Sequence, residues 1–114
     1  MSVNVFTART FDKEIKRLSK KYKSLKSDLM NFVLELRDNP NMGVSLSGNV
    51  RKIRMQISDK NKGKRGGARI ITYNFVVSVD ATDVTLLYVY DKNERSSISM
   101  QEIDDLIKEA GLNK

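Results

Sequence analysis

The hydrophobic period of this chain changes twice along its length, and that change confines it to a fold mixing strands with helices. Val3, Val5 and Thr7 alternate with polar neighbours, the period of a half-buried strand. From Phe11 the spacing lengthens. Phe11, Ile15 and Leu18 fall on one side of a helix over 11–21, with Lys13, Lys16, Arg17, Lys20 and Lys21 largely outside. Lys23-Ser24 marks a break, and Leu25, Leu29, Phe32, Val33 and Leu36 make a second stripe. This helix, over 25–38, ends at Asn39, because the residue before Pro40 is driven out of helical conformation. Both stripes can face one sheet.

Residues 39–48 hold the single proline and two of the six glycines and read as a loop. Alternation then returns, predicting strands over 50–57, 69–79 and 84–91 that join 2–7 in an antiparallel sheet. The polar stretch from Asp59 to Gly67 is too long for a tight hairpin, and Asp80-Ala81-Thr82-Asp83 turns the chain. Val84 to Tyr90 is the most apolar segment and is expected at the sheet centre. Ser99 followed by Glu102 has capping-box spacing. It opens a helix with an apolar face of Met100, Ile103, Leu106, Ile107 and Ala110, and Gly111 suits the cap at its end. No repeat or linker divides the chain, so residues 1–114 read as one domain, a size that buries a modest core.

Cysteine and histidine are both absent. No disulfide or thiolate site can hold the fold, and the commonest metal ligand and proton shuttle is missing. Neither a metal nor a cofactor is expected. The N-terminus lacks the basic and apolar regions of a signal peptide, and no apolar stretch approaches the roughly eighteen residues of a membrane span. The cytoplasm is the expected compartment, and no membrane partner is expected.

The formal net charge is +7. Between Arg51 and Arg69 stand eight basic residues, Arg51, Lys52, Arg54, Lys60, Lys62, Lys64, Arg65 and Arg69, against Asp59 alone. That local excess of seven equals the whole chain's, and elsewhere thirteen basic residues balance thirteen acidic ones. A solvated hairpin would account for such a run. Its spacing suits a polyanion, because Lys52 and Arg54 share a strand face about 7 Å apart, comparable to neighbouring phosphates. Gly63, Gly66 and Gly67 lie inside the run and permit close main-chain approach.

Phosphate contacts set register but read no sequence, whereas single-stranded RNA is read by stacking on aromatic rings and guanidinium planes. Tyr73, Tyr88 and Tyr90 are candidates. For Tyr73 and Tyr88 a core position competes with that role, while Tyr90 ends its strand beside Asp91-Lys92-Asn93-Glu94-Arg95. Lys62-Gly63-Lys64-Arg65-Gly66-Gly67 lacks the spacing and terminal Lys-Ser/Thr of a Walker loop. Asp91 and Glu94 read as charge partners, Asp104 and Asp105 as a solvated face, and Ser96, Ser97 and Ser99 have no histidine to activate them.

Three segments, Arg51-Lys52-Ile53-Arg54-Met55, Lys62 through Tyr73 with its Gly66-Gly67 pair and Arg69, and Leu87-Tyr88-Val89-Tyr90-Asp91-Lys92-Asn93-Glu94, resemble the RelE/ParE superfamily of type II toxin–antitoxin toxins. The resemblance is nearest the HigB-like branch and follows the element order of nearly the whole chain. It implies an α+β microbial-ribonuclease fold, with two N-terminal helices packed on a twisted antiparallel sheet and a C-terminal helix. It also implies a cognate antitoxin and, for many members, mRNA cleavage on the ribosome. Lys52 and Arg54 match the paired basic positions leading into the site, Arg69 the arginine at the scissile phosphate, and Lys92 a basic position after the last strand. Asn93 and Ser99 depart from the pattern, standing where it would place a further catalytic arginine and a catalytic tyrosine. The histidine of some HigB-like members has no counterpart. ParE-like relatives share the fold yet act on DNA gyrase.

Cleavage by a 2′-hydroxyl without histidine needs a base, charge at the phosphorane and a donor to the leaving oxygen. A lysine crowded by like charges can serve as base, which points to Lys52 or Lys64. Arg54 and Arg69 supply fixed positive charge, and Tyr90 or Lys92 the leaving-group proton. Lys60, Lys62, Arg65, Tyr73 and Arg95 are expected to bind RNA around that centre. Two alternatives stand beside this reading: a non-catalytic topoisomerase inhibitor and a plain RNA-binding module.

Overall fold

A strand, β1 (Ser2–Thr7), leads through Ala8 into the first helix, α1 (Arg9–Lys21), and a three-residue break separates this from α2 (Leu25–Asp38). Two strands follow, β2 (Val44–Ser47) and β3 (Val50–Met55), then one turn of 3-10 helix (Ser58–Lys60). The long strands β4 (Ala68–Ser78) and β5 (Ala81–Asp91) precede the last helix, α3 (Met100–Glu109). The computed structural model describes residues 2–112; Met1, Asn113 and Lys114, at the ends of the predicted 1–114 domain, lie outside them.

Helices and strands pack as an α+β unit around one five-stranded sheet of order β1-β5-β4-β3-β2. Three neighbouring pairs are antiparallel, but β1 runs parallel to β5, so the sheet is mixed where an all-antiparallel one was expected. No turn joins β1 to its neighbour, so nothing local sets its direction. A second correction concerns 39–48, predicted as loop, of which 44–47 forms the edge strand β2. The third is the sheet centre, held by β4, with β5 one place aside.

The two faces of the sheet bury separate clusters. On one, Phe11 and Leu18 of α1 and Leu25, Phe32 and Leu36 of α2 meet Ile53, Met55, Ile70, Val84 and Val89. On the other, Ile103 and Ile107 of α3 cover Val50, Ile71, Tyr73, Leu87 and Tyr90. The predicted capping box is present. Glu102 N–H donates to Ser99 Oγ at 3.1 Å, and Ser99 N–H to Glu102 Oε1 at 3.2 Å. Past Asn74, Phe75, Val76 and Val77 of β4 are exposed. Among the described residues, no helix is long and apolar enough to cross a membrane.

Candidate active site

Strand register builds the site. Arg54 of β3 pairs with Arg69 of β4, which pairs with Tyr90 of β5, so the three form one row across the sheet. The row two residues along reads Val44, Lys52, Ile71, Tyr88. Neighbours in a row are about 5 Å apart, and alternation puts both rows on the face that α3 partly covers. The basic strand positions thus meet an aromatic pair on one side and an aliphatic edge on the other. Lys52, Arg54, Lys64 and Arg69 together line one cleft of about 630 Å³.

The loop from Ser58 to Gly67 is tied down at both ends. Asp28 of α2 accepts from Ser58 N–H at 2.8 Å and from Ser24 Oγ–H at 2.9 Å. Asp59 accepts from Ser24 N–H at 3.0 Å. At the other end, Gly67 lies so close to β3 that a Cβ there would sit 2.1 Å from the Met55 carbonyl oxygen, which only glycine avoids. Its carbonyl accepts from Lys92 N–H at 3.2 Å, tying the loop to the end of β5.

Between these anchors Lys60 turns inward. Its ammonium donates to Asp91 Oδ1 and to the Gly66 carbonyl, and the two charged side chains are 5% and 0% exposed. Tyr22 O–H completes the cluster, donating to Asp91 Oδ2 at 2.6 Å. Burial opposes ionisation of Asp91. The hydrogen bonds from Lys60, Tyr22 and Asn93 N–H outweigh it and hold the carboxyl below its ordinary range. Glu94 pairs with Arg17 at 2.7 Å and Lys21 at 3.5 Å, so both carboxylates are the charge partners their sequence context indicated.

Arg69, which as the first residue of the strand predicted over 69–79 would point into solvent, is instead 7% exposed. The loop folds back over it, and its guanidinium donates to the carbonyls of Arg65 at 3.0 Å, Ala68 at 3.3 Å and Lys64 at 3.4 Å. Burial, and then the charge of Arg54, lower its pKa, though a guanidinium remains cationic. Tyr90 beside it is buried, and its hydroxyl has no hydrogen-bond partner among the described residues. Burial raises the Tyr90 pKa against the pull of Arg69 and Arg95, which leaves a neutral O–H at physiological pH. Arg95 lies 5.7 Å from the Tyr90 ring centroid and 6.0 Å from that of Tyr88, and it pairs with Glu102 of α3 at 2.9 Å.

Of the six residues assigned catalytic roles, Lys52, Arg54, Lys64 and Arg69 meet at the cleft, and Tyr90 adjoins through Arg69. Lys92 does not: the chain leaves the sheet after Asp91, and its exposed side chain is not among those lining the cleft. Lys62 and Arg65 are exposed in the loop. Three expected RNA contacts have other duties. Lys60 is buried on Asp91, Arg95 stacks on the tyrosines, and Tyr73 is buried under α3 beyond the cleft. Lys64 is not surrounded by cations alone, since it pairs with Glu35 at 3.1 Å. The lining residues missed in the sequence were Met42, Gly43, Val44 and Leu46 of the predicted loop, Ile53 of β3, and Ser96 after β5. For Val44 and Leu46 the signal was the alternation Val44-Ser45-Leu46-Ser47, masked by flanking glycines.

The arrangement offers positive charge and an aliphatic edge lining one open cleft, with a neutral buried phenol beside Arg69, which suits a phosphodiester carrying an organic base. Residues 3–113 match the family model described as the RelE toxin of the RelE / RelB toxin-antitoxin system.

Proposed function

The chain belongs to the RelE toxin family of toxin–antitoxin systems, and from that premise we propose that it is a metal-independent endoribonuclease acting on mRNA in the cytoplasm, on the ribosome. The observation that carries this reading is the cross-strand row Arg54–Arg69–Tyr90 beside Lys52 and Lys64 on one cleft. A substrate 2′-oxygen attacks the adjacent phosphorus, the bond to the 5′-oxygen breaks, and a 2′,3′-cyclic phosphate and a 5′-hydroxyl result. Lys52 is the group assigned to take the 2′-proton. It stands on a strand and has no ion-pair partner among the described residues, whereas Lys64 is tied to Glu35. Arg54 and Arg69 stabilise the phosphorane. Three carbonyls occupy three of the five N–H groups of Arg69, leaving two for phosphate oxygens. Tyr90 supplies the proton to the leaving oxygen once bound RNA displaces what covers its hydroxyl.

The Gly66-Gly67 pair ahead of Arg69 supports the HigB-like branch within the family. The cognate antitoxin is assigned to the basic face. Covering it relieves self-repulsion, and high salt then weakens copurification of the pair. The deciding assay is mRNA cleavage by purified protein, with and without ribosomes, for wild type, Arg69→Ala and Arg51→Ala. Arg51 lies on the opposite face and donates to the Met42 and Gly43 carbonyls, so its loss should leave cleavage nearly intact. Equal rates for wild type and Arg69→Ala would reject the assigned centre. Absence of cleavage in both conditions, with inhibition of a purified topoisomerase, would favour a ParE-like inhibitor.

A further inference from the structure

The cleft has two unlike walls. Lys52, Arg54, Lys64 and Arg69 make one of them, and the other is aliphatic, built from Val44 and Leu46 of the edge strand β2 and from Met42 just before it, which is half-buried against the cluster under α1 and α2. Val44 is 61% exposed, although it sits on a sheet directly opposite Lys52. An edge strand that shows a bare valine and no lysine is unusual, since edges are commonly guarded by charge. Gly43 holds this wall against β3. Its φ is +84°, and a Cβ there would lie 2.4 Å from the Lys52 carbonyl oxygen, so the wall is pressed against the strand that carries the cations.

A nucleotide matches this division. Its phosphate needs the cations, and its base presents a flat, weakly hydrated face that gains by leaving water for aliphatic side chains. We propose that Met42, Val44 and Leu46 form a platform for the base of the nucleotide whose phosphate lies on Lys52, Arg54 and Arg69, and that the platform prefers a purine to a pyrimidine. The preference follows from area: the larger purine face buries more surface on the same ledge. The platform reads ring size and makes no hydrogen bonds to base edges. This inference rests on the reading of the cleft as an RNA site.

The test uses fluorescence anisotropy with single-stranded RNA oligonucleotides of about ten nucleotides, each carrying one abasic ribose in turn, and purine or pyrimidine at the sensitive position. For wild type, one abasic position should weaken binding about fivefold, the effect expected for an apolar contact of this size. That ratio should stay constant as salt rises, because it comes from apolar area. Val44→Thr keeps the shape of an exposed strand residue and should reduce both the abasic penalty and the purine preference to less than about twofold, while Val44→Ile should restore them. An abasic penalty unchanged in Val44→Thr, or equal at every position, overturns the platform and leaves the RNA reading standing. Failure of wild type to bind any of the oligonucleotides at low salt overturns the platform, and the RNA reading then stands or falls by the cleavage assay with and without ribosomes.

Discussion

At Arg69 one guanidinium serves the loop and the cleft together. Arg69→Ala removes hydrogen bonds to three carbonyls and opens the covering loop, so a loss of about 2 kcal/mol in urea unfolding should accompany the loss of activity. Cleavage should fall by at least about a hundredfold, the scale seen when one transition-state donor is removed. The full-activity fold control is Arg51→Ala, measured in the same two assays. Tyr90 gives the cleaner separation. Its hydroxyl is buried without a partner among the described residues, so Tyr90→Phe should leave stability unchanged or raise it by about 1 kcal/mol. If the phenol donates to the leaving oxygen, the same variant cleaves at least about tenfold more slowly. Wild-type rates in Tyr90→Phe would remove Tyr90 from the mechanism.

The element that decides the geometry of the site is the loop between β3 and β4, clipped by Lys60 onto Asp91. Breaking a buried ion pair from one side strands the other charge, so Lys60→Met should cost about 3–5 kcal/mol by urea denaturation. The pair also sets an acid limit. Because Asp91 ionises more readily folded than unfolded, the unfolded chain takes up this proton first as pH falls. The contribution is complete above about pH 4 and declines as pH drops through the folded-state pKa. In Asp91→Asn that part of the acid dependence should vanish, which equilibrium unfolding between neutral and acid pH would show. A dependence identical to wild type would mean that other carboxylates dominate.

Across the whole molecule, the basic run does not act as one surface. Of its eight cations, Lys60 and Lys64 are paired, Arg51 and Arg69 donate to carbonyls, and Lys52, Arg54, Lys62 and Arg65 have no ion-pair partner among the described residues. Together with Arg69 these make five phosphate contacts, which imply a slope of log affinity against log salt of about −3.5 for single-stranded RNA. Lys52→Gln and Arg54→Gln should each flatten it by about 0.7, and Arg51→Gln should not. Equal effects from all three would mean that net charge, and not the cleft, binds RNA. The periodicity of the chain alone determined the three helices, four of the five strands, the faces they bury and the cap of α3, because burial imposes its period on a local stretch. Alternation also gave Lys52 and Arg54 a common side, and the family resemblance implied Arg69 beside them. Only the tertiary structure decided the parallel direction of β1, the recruitment of Val44–Ser47 as an edge strand, and the fates of Lys60 and Arg69. Lys60 finds Asp91 thirty-one residues away, and Arg69 is covered only when the glycine pair lets the loop close against β3. A charged side chain shows its residue type in the sequence, but whether it faces solvent, a carbonyl or a carboxylate depends on what the folded chain brings beside it.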